Sequence, residues 1–265
     1  MTAVQVRVAH GTPCWVSLMT HDVERAKAFY GPLLDWSFTP GPTELGAYVR
    51  ASLHGARVAG IGLAPERPDL PAEWTTYFAV DSADSASARV RDCGGTVAVG
   101  PLENGRAGRL AIAADLSGAF FGLWEGRDHL GWEVVGEPGA PVWSELVTND
   151  EPLAAAFYGS VFQRQVVHAD PSAVARGEED ATLRVEGHRV AGLRQTTDLR
   201  DGPPRWRIYF AVGDAELTVR QCAALGGSVL VGPADTPYGR VARLADPEGG
   251  RFSVVELPVL GLSPA

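Results

Sequence analysis

The stretch Thr12–Trp36, TPCWVSLMTHDVERAKAFYGPLLDW, decides the fold because the chain contains it twice. Ala140–Arg164, APVWSELVTNDEPLAAAFYGSVFQR, repeats it without a gap, so that Trp15 recurs as Trp143, 128 positions later. The identical residues include a tryptophan, a threonine, an aspartate and an Ala-Phe-Tyr-Gly run. Self-similarity at a fixed spacing indicates internal duplication. The sequence therefore predicts two copies of one domain.

The repeat continues beyond this stretch. Arg57-Val-Ala-Gly60 recurs as Arg189-Val-Ala-Gly192, and Tyr77-Phe-Ala-Val80 recurs as Tyr209-Phe-Ala-Val212, each 132 positions later. Nearer the end of each copy, the offset becomes 131 positions. We predict the first domain at residues 10–130 and the second at residues 140–258.

Each copy is predicted to divide into two similar modules. Trp15–Thr20 reads as a strand, and Asp22 is a good N-cap for a helix over Val23–Leu34. Two more apolar strand segments follow, and the pattern then begins again at Trp74–Val80. The result is an α+β fold of four βαβββ modules, at residues 12–64, 73–126, 140–195 and 205–257.

The composition limits the classes of function. Of the 265 residues, 45% are hydrophobic and 21% are charged, which is typical of a globular protein with room for two domains, each burying its own core. The net charge of −9 argues against nucleic acid as a partner. The absence of a long apolar run argues against a membrane. Three cysteines without CxxC spacing favour a reducing, cytoplasmic location.

The paired modules and two of their motifs resemble a known family. The Asp22 to Tyr30 segment and the closing hairpin Asp246-Pro-Glu-Gly249 with Glu256 are similar to those of the vicinal-oxygen-chelate (VOC) superfamily of glyoxalases, bleomycin-resistance proteins and extradiol dioxygenases. The opening Gly-Thr-Pro-x-Trp resembles its tandem two-domain subgroup. This resemblance implies curved mixed sheets that enclose pockets. It also implies a monomer that is an internal pseudo-dimer, or a homodimer.

The residues oppose the metal that the resemblance suggests. VOC enzymes hold a divalent ion with His, Gln or Glu, mainly on the first and last strands of paired modules. The first-strand positions here are Trp15 and Trp143, and only Glu125 and Glu256 remain as acids on last strands. Because a divalent ion needs about three oxygen or nitrogen donors from the protein, we predict no metal site and no cofactor.

Side-chain alternation along the strands predicts what lines each pocket. The first pocket is expected to contain Trp15, Ser17, Tyr77 and Glu125. The second is expected to contain the ligand-binding residues Trp143 and Tyr209 and the candidate catalytic residues Glu145, Arg207 and Glu256. Aromatic walls with a few polar groups are typical of small-molecule sites. The alternative is that the tryptophans and tyrosines only fill the core.

The two pockets are predicted to differ in charge. Glu145 stands where copy one has Ser17, and Arg207 stands where it has Thr75. Glu145 and Glu256 beside an arginine could perform acid–base chemistry, or could form a buried ion pair without chemistry.

Three functions follow as hypotheses. The first is metal-independent binding or sequestration of an aromatic or planar metabolite, as in resistance. The second is a cofactor-free isomerase, hydrolase or cyclase that uses Glu145 and Glu256. The third is a metal-dependent glyoxalase or dioxygenase, which the family favours and the residues oppose.

Overall fold

The computed structural model describes residues 8–41, 46–64, 71–196 and 202–257. Residue 258, the expected end of the second domain, lies outside this range. The described residues form two mixed sheets of eight strands each. Within the described part of the chain, no helix is long and apolar enough to cross a membrane.

The first sheet uses strands from copy one alone, in the order β2-β3-β4-β1-β5-β8-β7-β6. Its strands and two helices are β1 (Pro13–Thr20), α1 (Val23–Leu34), β2 (Trp36–Pro40), β3 (Tyr48–Leu53), β4 (Ala56–Leu63), β5 (Glu73–Ala79), α2 (Ala83–Asp92), β6 (Thr96–Asn104), β7 (Gly108–Ala114) and β8 (Phe120–Gly126).

The second sheet repeats this order with copy two. Its elements are β9 (Pro141–Thr148), α3 (Glu151–Phe162), β10 (Gln165–His168), α4 (Pro171–Ala175), β11 (Ala181–Val185), β12 (His188–Gln195), β13 (Arg205–Val212), α5 (Ala215–Ala224), β14 (Ser228–Thr236), β15 (Gly239–Ala245) and β16 (Arg251–Glu256). The predicted α+β fold of four βαβββ modules is therefore confirmed. The short helix α4 has no equivalent among the described residues of copy one.

The predicted helix starts follow from capping chemistry. The Asp22 carboxylate accepts a hydrogen bond from the Arg25 backbone nitrogen at 2.9 Å, and Asp150 accepts one from Leu153 at 3.0 Å. These bonds satisfy backbone donors that a helix leaves free in its first turn. The same aspartate therefore fixes where the first helix of each copy begins.

The hydrophobic cores are shared between the copies, so the prediction that each domain buries its own core is wrong. One core joins α1, β1 and β4 of copy one to α5, β13 and β16 of copy two. The other joins α2, β5 and β8 to α3, β12 and β13. Since the apolar helix faces lie between the two sheets, each copy completes the core of the other.

Buried tyrosines connect the copies at two equivalent places. Tyr30 donates a hydrogen bond to the Asp246 carboxylate at 2.9 Å and accepts one from Trp74 Nε1 at 3.0 Å. In the other core, Tyr158 donates to Asp115 at 2.9 Å and accepts from Trp206 Nε1 at 2.9 Å. The recurring Phe-Tyr and Asp-x-x-Gly motifs thus join the two domains.

Candidate functional site

The concave face of each sheet carries the residues opposite the core. In copy one, Trp15 pairs with Tyr77 across β1 and β5. In copy two, Trp143 pairs with Tyr209 and Glu145 with Arg207 across β9 and β13. Residues that face each other across paired strands point to the same side of a sheet. Each of these faces lines a cavity.

The cavity of copy two has a volume of about 380 Å³. The structure places the expected residues Trp143, Glu145 and Tyr209 in its wall. Five of the ten other lining residues are apolar or aromatic, and the rest are a glycine, a threonine, two arginines and a second glutamate: Val142, Tyr238, Val241, Val255 and Leu257, with Gly177, Thr236, Arg189, Arg194 and Glu179. A volume of this size accommodates a drug-sized organic molecule.

Glu145 is the centre of a buried ion cluster. Its side chain is only 2% exposed and accepts hydrogen bonds from Arg194 Nε at 2.7 Å, Arg207 Nη1 at 3.1 Å and the Tyr209 hydroxyl at 2.8 Å. Burial and the neighbouring Glu145 raise the pKa of Tyr209. Burial opposes the charge of Arg194, but Glu145 outweighs it and raises the pKa of Arg194. The carboxylate is therefore matched by donors, and the predicted association of Glu145 with Arg207 is present.

A second buried carboxylate, Glu179, was missed by the sequence analysis. It is 3% exposed and accepts hydrogen bonds from Arg189 Nη2 and from the Tyr238 hydroxyl, both at 2.6 Å. The Arg189 guanidinium also lies 5.7 Å from the centre of the Trp143 ring and 5.4 Å from that of Tyr238. Arg189 could be noticed in the sequence because it begins the repeated Arg-Val-Ala-Gly motif. Glu179 lies in a connection that shows no repeated motif.

The equivalent cavity of copy one is almost filled, with only about 40 Å³ remaining. Trp15, Ser17 and Tyr77 line it as expected. Tyr48 occupies the space between them. Its hydroxyl accepts a hydrogen bond from Trp15 Nε1 at 3.1 Å and lies 3.0 Å from Ser17 Oγ. By the repeat offsets, copy two has Asp180 at the position of Tyr48.

The segment after β8 closes the first cavity further. The ring of His129 packs perpendicular to Trp15, with centres 4.4 Å apart, and 5.6 Å from the ring of Trp124. Burial, with the positive charges of Arg57 and Arg50, lowers the pKa of His129 to about 3. This histidine is therefore a neutral side chain that fills part of the first cavity. Its counterpart, Leu260, lies outside the described residues.

Two predicted pocket acids face away from the cavities. Glu256 accepts a hydrogen bond from the Ala215 backbone nitrogen at 2.9 Å, and Glu125 accepts one from Ala83 at 2.9 Å. Both therefore cap the helices α5 and α2. The expectation that Glu256 joins Glu145, and that Glu125 binds a ligand, is wrong.

The error is a shift of one residue on the last strand. Tyr77 pairs with Gly122, and Tyr209 pairs with Ser253. Because side chains alternate along a strand, Gly122 and Ser253 face the cavities, and the glutamates three residues later face the helices.

These residues do not fit a divalent metal ion. The cavity-facing positions on the first and last strands are Trp15 and Gly122 in copy one and Trp143 and Ser253 in copy two. Glu145 is bound by two arginines, whose charges repel a cation. Among the residues that the structure describes, no group of three His, Cys, Asp or Glu side chains could hold an ion.

The tandem pairs of βαβββ modules, each pair sharing one curved sheet, define the class of protein. The chain belongs to the VOC superfamily, and residues 144–255 match the family described as "Glyoxalase-like domain". It is 39% identical over 251 residues to the Mycobacterium bovis protein named "Putative glyoxylase CFP32", covering 93% of this chain and 95% of that protein. It is 37% identical over 268 residues to the anthracycline biosynthesis protein DnrV of Streptomyces peucetius, covering 95% of both.

Solved structures support the same fold. The Mn(II)-bound glyoxalase from Novosphingobium aromaticivorans superimposes with a TM-score of 0.64 at 15% identity, covering 93% of this chain and 82% of that chain. The 2,3-dioxygenase LapB from Pseudomonas superimposes with a TM-score of 0.63 at 16% identity, covering 98% of both chains. These similarities concern the fold alone.

Proposed function

We propose that the second cavity binds a planar aromatic small molecule without a metal ion, and that the first cavity has a structural role. The observation that carries this proposal is the contrast between about 380 Å³ of space in copy two and about 40 Å³ in copy one.

The walls of the second cavity suit a flat ligand. Trp143 and Tyr238 contribute aromatic rings to the wall, while Val241 and Val255 supply apolar surface. Aromatic side chains favour stacking on flat partners. The charged groups Glu145 and Glu179 are each matched by arginine, so they can orient polar groups of a ligand without an unbalanced charge.

The relatives support a polycyclic ligand class. DnrV and the DauV protein of a Streptomyces strain, which is 38% identical over 269 residues, both carry the description "Anthracycline biosynthesis protein". Anthracyclines are planar, fused-ring molecules, and a mostly aromatic and aliphatic cavity matches that shape. We therefore take a fused aromatic ring system as the ligand class.

A cofactor-free acid–base enzyme is the second candidate. The cavity wall holds two buried carboxylates, Glu145 and Glu179, which is the feature that favours it. Both carboxylates already accept hydrogen bonds from arginine and tyrosine. Because both are already hydrogen-bonded, these carboxylates are better suited to binding and orienting a ligand than to abstracting a proton.

The test is a fluorescence titration of EDTA-treated protein with an anthracycline. We expect saturable micromolar binding in the wild type and its loss in Val255→Trp, which introduces the residue of copy one and fills the cavity. Tyr238→Ala, which removes an aromatic ring from the wall at a partly exposed position, is expected to weaken binding about tenfold. Ser17→Ala, on the filled cavity, is the matched control and is expected to bind as the wild type does.

The same titration can contradict the proposal. Equal binding by wild type and Val255→Trp would place the ligand elsewhere, and binding that requires added Mn²⁺, Fe²⁺, Ni²⁺ or Zn²⁺ would overturn metal independence. Conversion of the ligand, seen as a new absorbance band that disappears in Glu145→Gln, would favour the enzyme instead. Circular dichroism of each variant verifies that it is folded.

A further inference from the structure

The duplication places a phenol inside the first cavity, where the second cavity is open. The Tyr48 hydroxyl accepts a hydrogen bond from Trp15 Nε1 at 3.1 Å and lies 3.0 Å from Ser17 Oγ. We infer that the ligand of the second cavity carries a hydroxyl group on its aromatic ring, which accepts a hydrogen bond from Trp143 and donates one to Glu179. This inference rests on the function proposed above and names the polar group through which the ligand is recognised.

Trp143 supplies a donor whose equivalent in copy one is satisfied. Its indole lines the second cavity, and its Nε1 is buried without a hydrogen-bond partner among the residues that the structure describes. In copy one, the Tyr48 hydroxyl accepts from the equivalent Trp15 Nε1. Because a buried donor without an acceptor costs free energy, a ligand oxygen that accepts from Trp143 would provide what Tyr48 provides in copy one.

Glu179 supplies an acceptor. Arg189 Nη2 and the Tyr238 hydroxyl both donate to its Oε2, each at 2.6 Å. Its other oxygen, Oε1, faces β12, since a Cβ built at Gly192 would lie 3.0 Å from it. Within the described part of the chain, no donor reaches Oε1. Because a carboxylate oxygen only accepts hydrogen bonds, the partner that suits Oε1 is a donor on the ligand.

Glycine at the end of the repeated Arg-Val-Ala-Gly motif makes room for both Tyr48 and Glu179. A Cβ at Gly60 would collide with the Tyr48 hydroxyl, and a Cβ at Gly192 would lie 2.6 Å from Glu179 Cγ. Glu179 therefore lies over β12 as Tyr48 lies over β4. Because a carboxylate is much smaller than a phenol ring, the second cavity keeps space beside Glu179 that the ring of Tyr48 fills in copy one.

A hydroxyl group combines the two bonds that these residues require. A ketone oxygen accepts but cannot donate to Glu179, and an ammonium group donates but cannot accept from Trp143. An ammonium group would also meet the guanidinium of Arg189, which already donates to the same carboxylate. A neutral hydroxyl avoids this repulsion, and its bond to a charged acceptor is stronger than a bond between neutral groups. The ligand class is therefore a hydroxylated fused aromatic ring.

The test is calorimetric titration of the full-length protein at neutral pH with 2-naphthol, its methyl ether and naphthalene. The three share one ring system, but the ether can only accept a hydrogen bond and naphthalene makes none. We expect 2-naphthol to bind about tenfold more tightly than either of the others.

The outcomes separate this inference from the function on which it rests. Equal affinities of 2-naphthol and its methyl ether would overturn the hydroxyl and leave the aromatic site intact. Binding of an anthracycline without binding of 2-naphthol would also overturn this inference alone. Failure of both compounds to bind would overturn the proposed function as well.

Two variants and a matched control assign the two bonds. Trp143→Phe keeps an aromatic ring and removes Nε1, and Glu179→Gln replaces the charged acceptor. Each is expected to reduce the preference for 2-naphthol to about threefold or less. Trp15→Phe removes the same donor from the filled cavity and is expected to leave the preference unchanged.

A merely structural role of Trp143 or Glu179 would weaken the binding of all three compounds alike. An unchanged preference in either variant, or an equal loss of preference in Trp15→Phe, would therefore contradict the assignment. If Glu179→Gln does not fold, Trp143→Phe decides alone.

Discussion

The two concave faces of this molecule have equivalent strand orders and equivalent pairing registers. They differ in how much space their side chains leave open. In copy one, Tyr48, Trp124 and His129 fill the space. In copy two, Asp180 and Val255 stand at the positions of Tyr48 and Trp124, and the cavity stays open. A few side-chain replacements on one sheet face therefore decide whether a VOC pocket stays open or becomes part of the interior.

The faces of the sheets that point into the cores are alike in the two copies. Tyr30 with Asp246 and Tyr158 with Asp115 make equivalent hydrogen bonds of 2.9 Å, and the tryptophans that bond to the tyrosines are equivalent as well. The copies thus differ where a ligand would lie and agree where they contact each other. This division yields predictions in which equivalent substitutions have unequal effects on the concave faces and equal effects in the cores.

The largest effect is expected from Glu145→Gln. The substitution removes the carboxylate that balances Arg207 and Arg194 in a buried setting, and breaking such a cluster typically costs about 3–5 kcal/mol. Ser17→Ala at the equivalent position of copy one is expected to cost less than about 1 kcal/mol, because it removes one neutral hydroxyl contact. Urea unfolding of both variants measures the difference, and similar losses would show that the two faces are energetically alike.

An intermediate and symmetric effect is expected from Tyr30→Phe and Tyr158→Phe. Each substitution deprives a buried aspartate of a donor and a tryptophan Nε1 of its acceptor. The expected loss is about 1–3 kcal/mol for either variant. Both are expected to unfold in a single transition because each core contains residues of both copies.

Separate transitions for the two copies, or a loss confined to one variant, would contradict this symmetry. Tyr238→Phe is a comparison at a more exposed position: it also deprives a buried carboxylate, Glu179, of one donor, but Arg189 still donates to that carboxylate. Its effect on stability is expected to be smaller than that of either core tyrosine.

The sequence predicted the modules well because local signals specify them. Asp22 caps its helix as expected, and the tryptophan positions identified the first strands of both cavities. The faces of the last strands were assigned wrongly, since a shift of one residue moves Glu125 and Glu256 to the other side. Only the pairing of β8 with β5 and of β16 with β13 resolves that choice.

Other features depend on contacts between distant segments. That each core contains residues of both copies cannot be predicted from the repeat. Two domains with separate cores and two domains with shared cores would have the same repeated sequence pattern. Glu179 could not be identified from the sequence, since it lies in a connection and its partners, Arg189 and Tyr238, come from distant strands or turns. The filling of the first cavity by His129 likewise depends on where the segment after β8 turns.

The smallest effect concerns pH and the filled cavity. His129 is 7% exposed, and burial together with Arg57 and Arg50, against the opposing charge of Glu133, lowers its pKa to about 3. In the unfolded chain, a histidine takes up a proton near pH 6.5. Between these values, the unfolded state binds more protons than the folded state, so stability falls as the pH is lowered.

From pH 7.5 to pH 5.5, this histidine is expected to cost the folded protein about 1 kcal/mol. His129→Gln does not titrate at this position, so its unfolding free energy is expected to change less over the same range. Urea unfolding at the two pH values gives the comparison. If His129→Gln has the same pH dependence as the wild type, His129 takes up its proton equally well in the folded and unfolded states. The first cavity would then not shield this side chain from solvent.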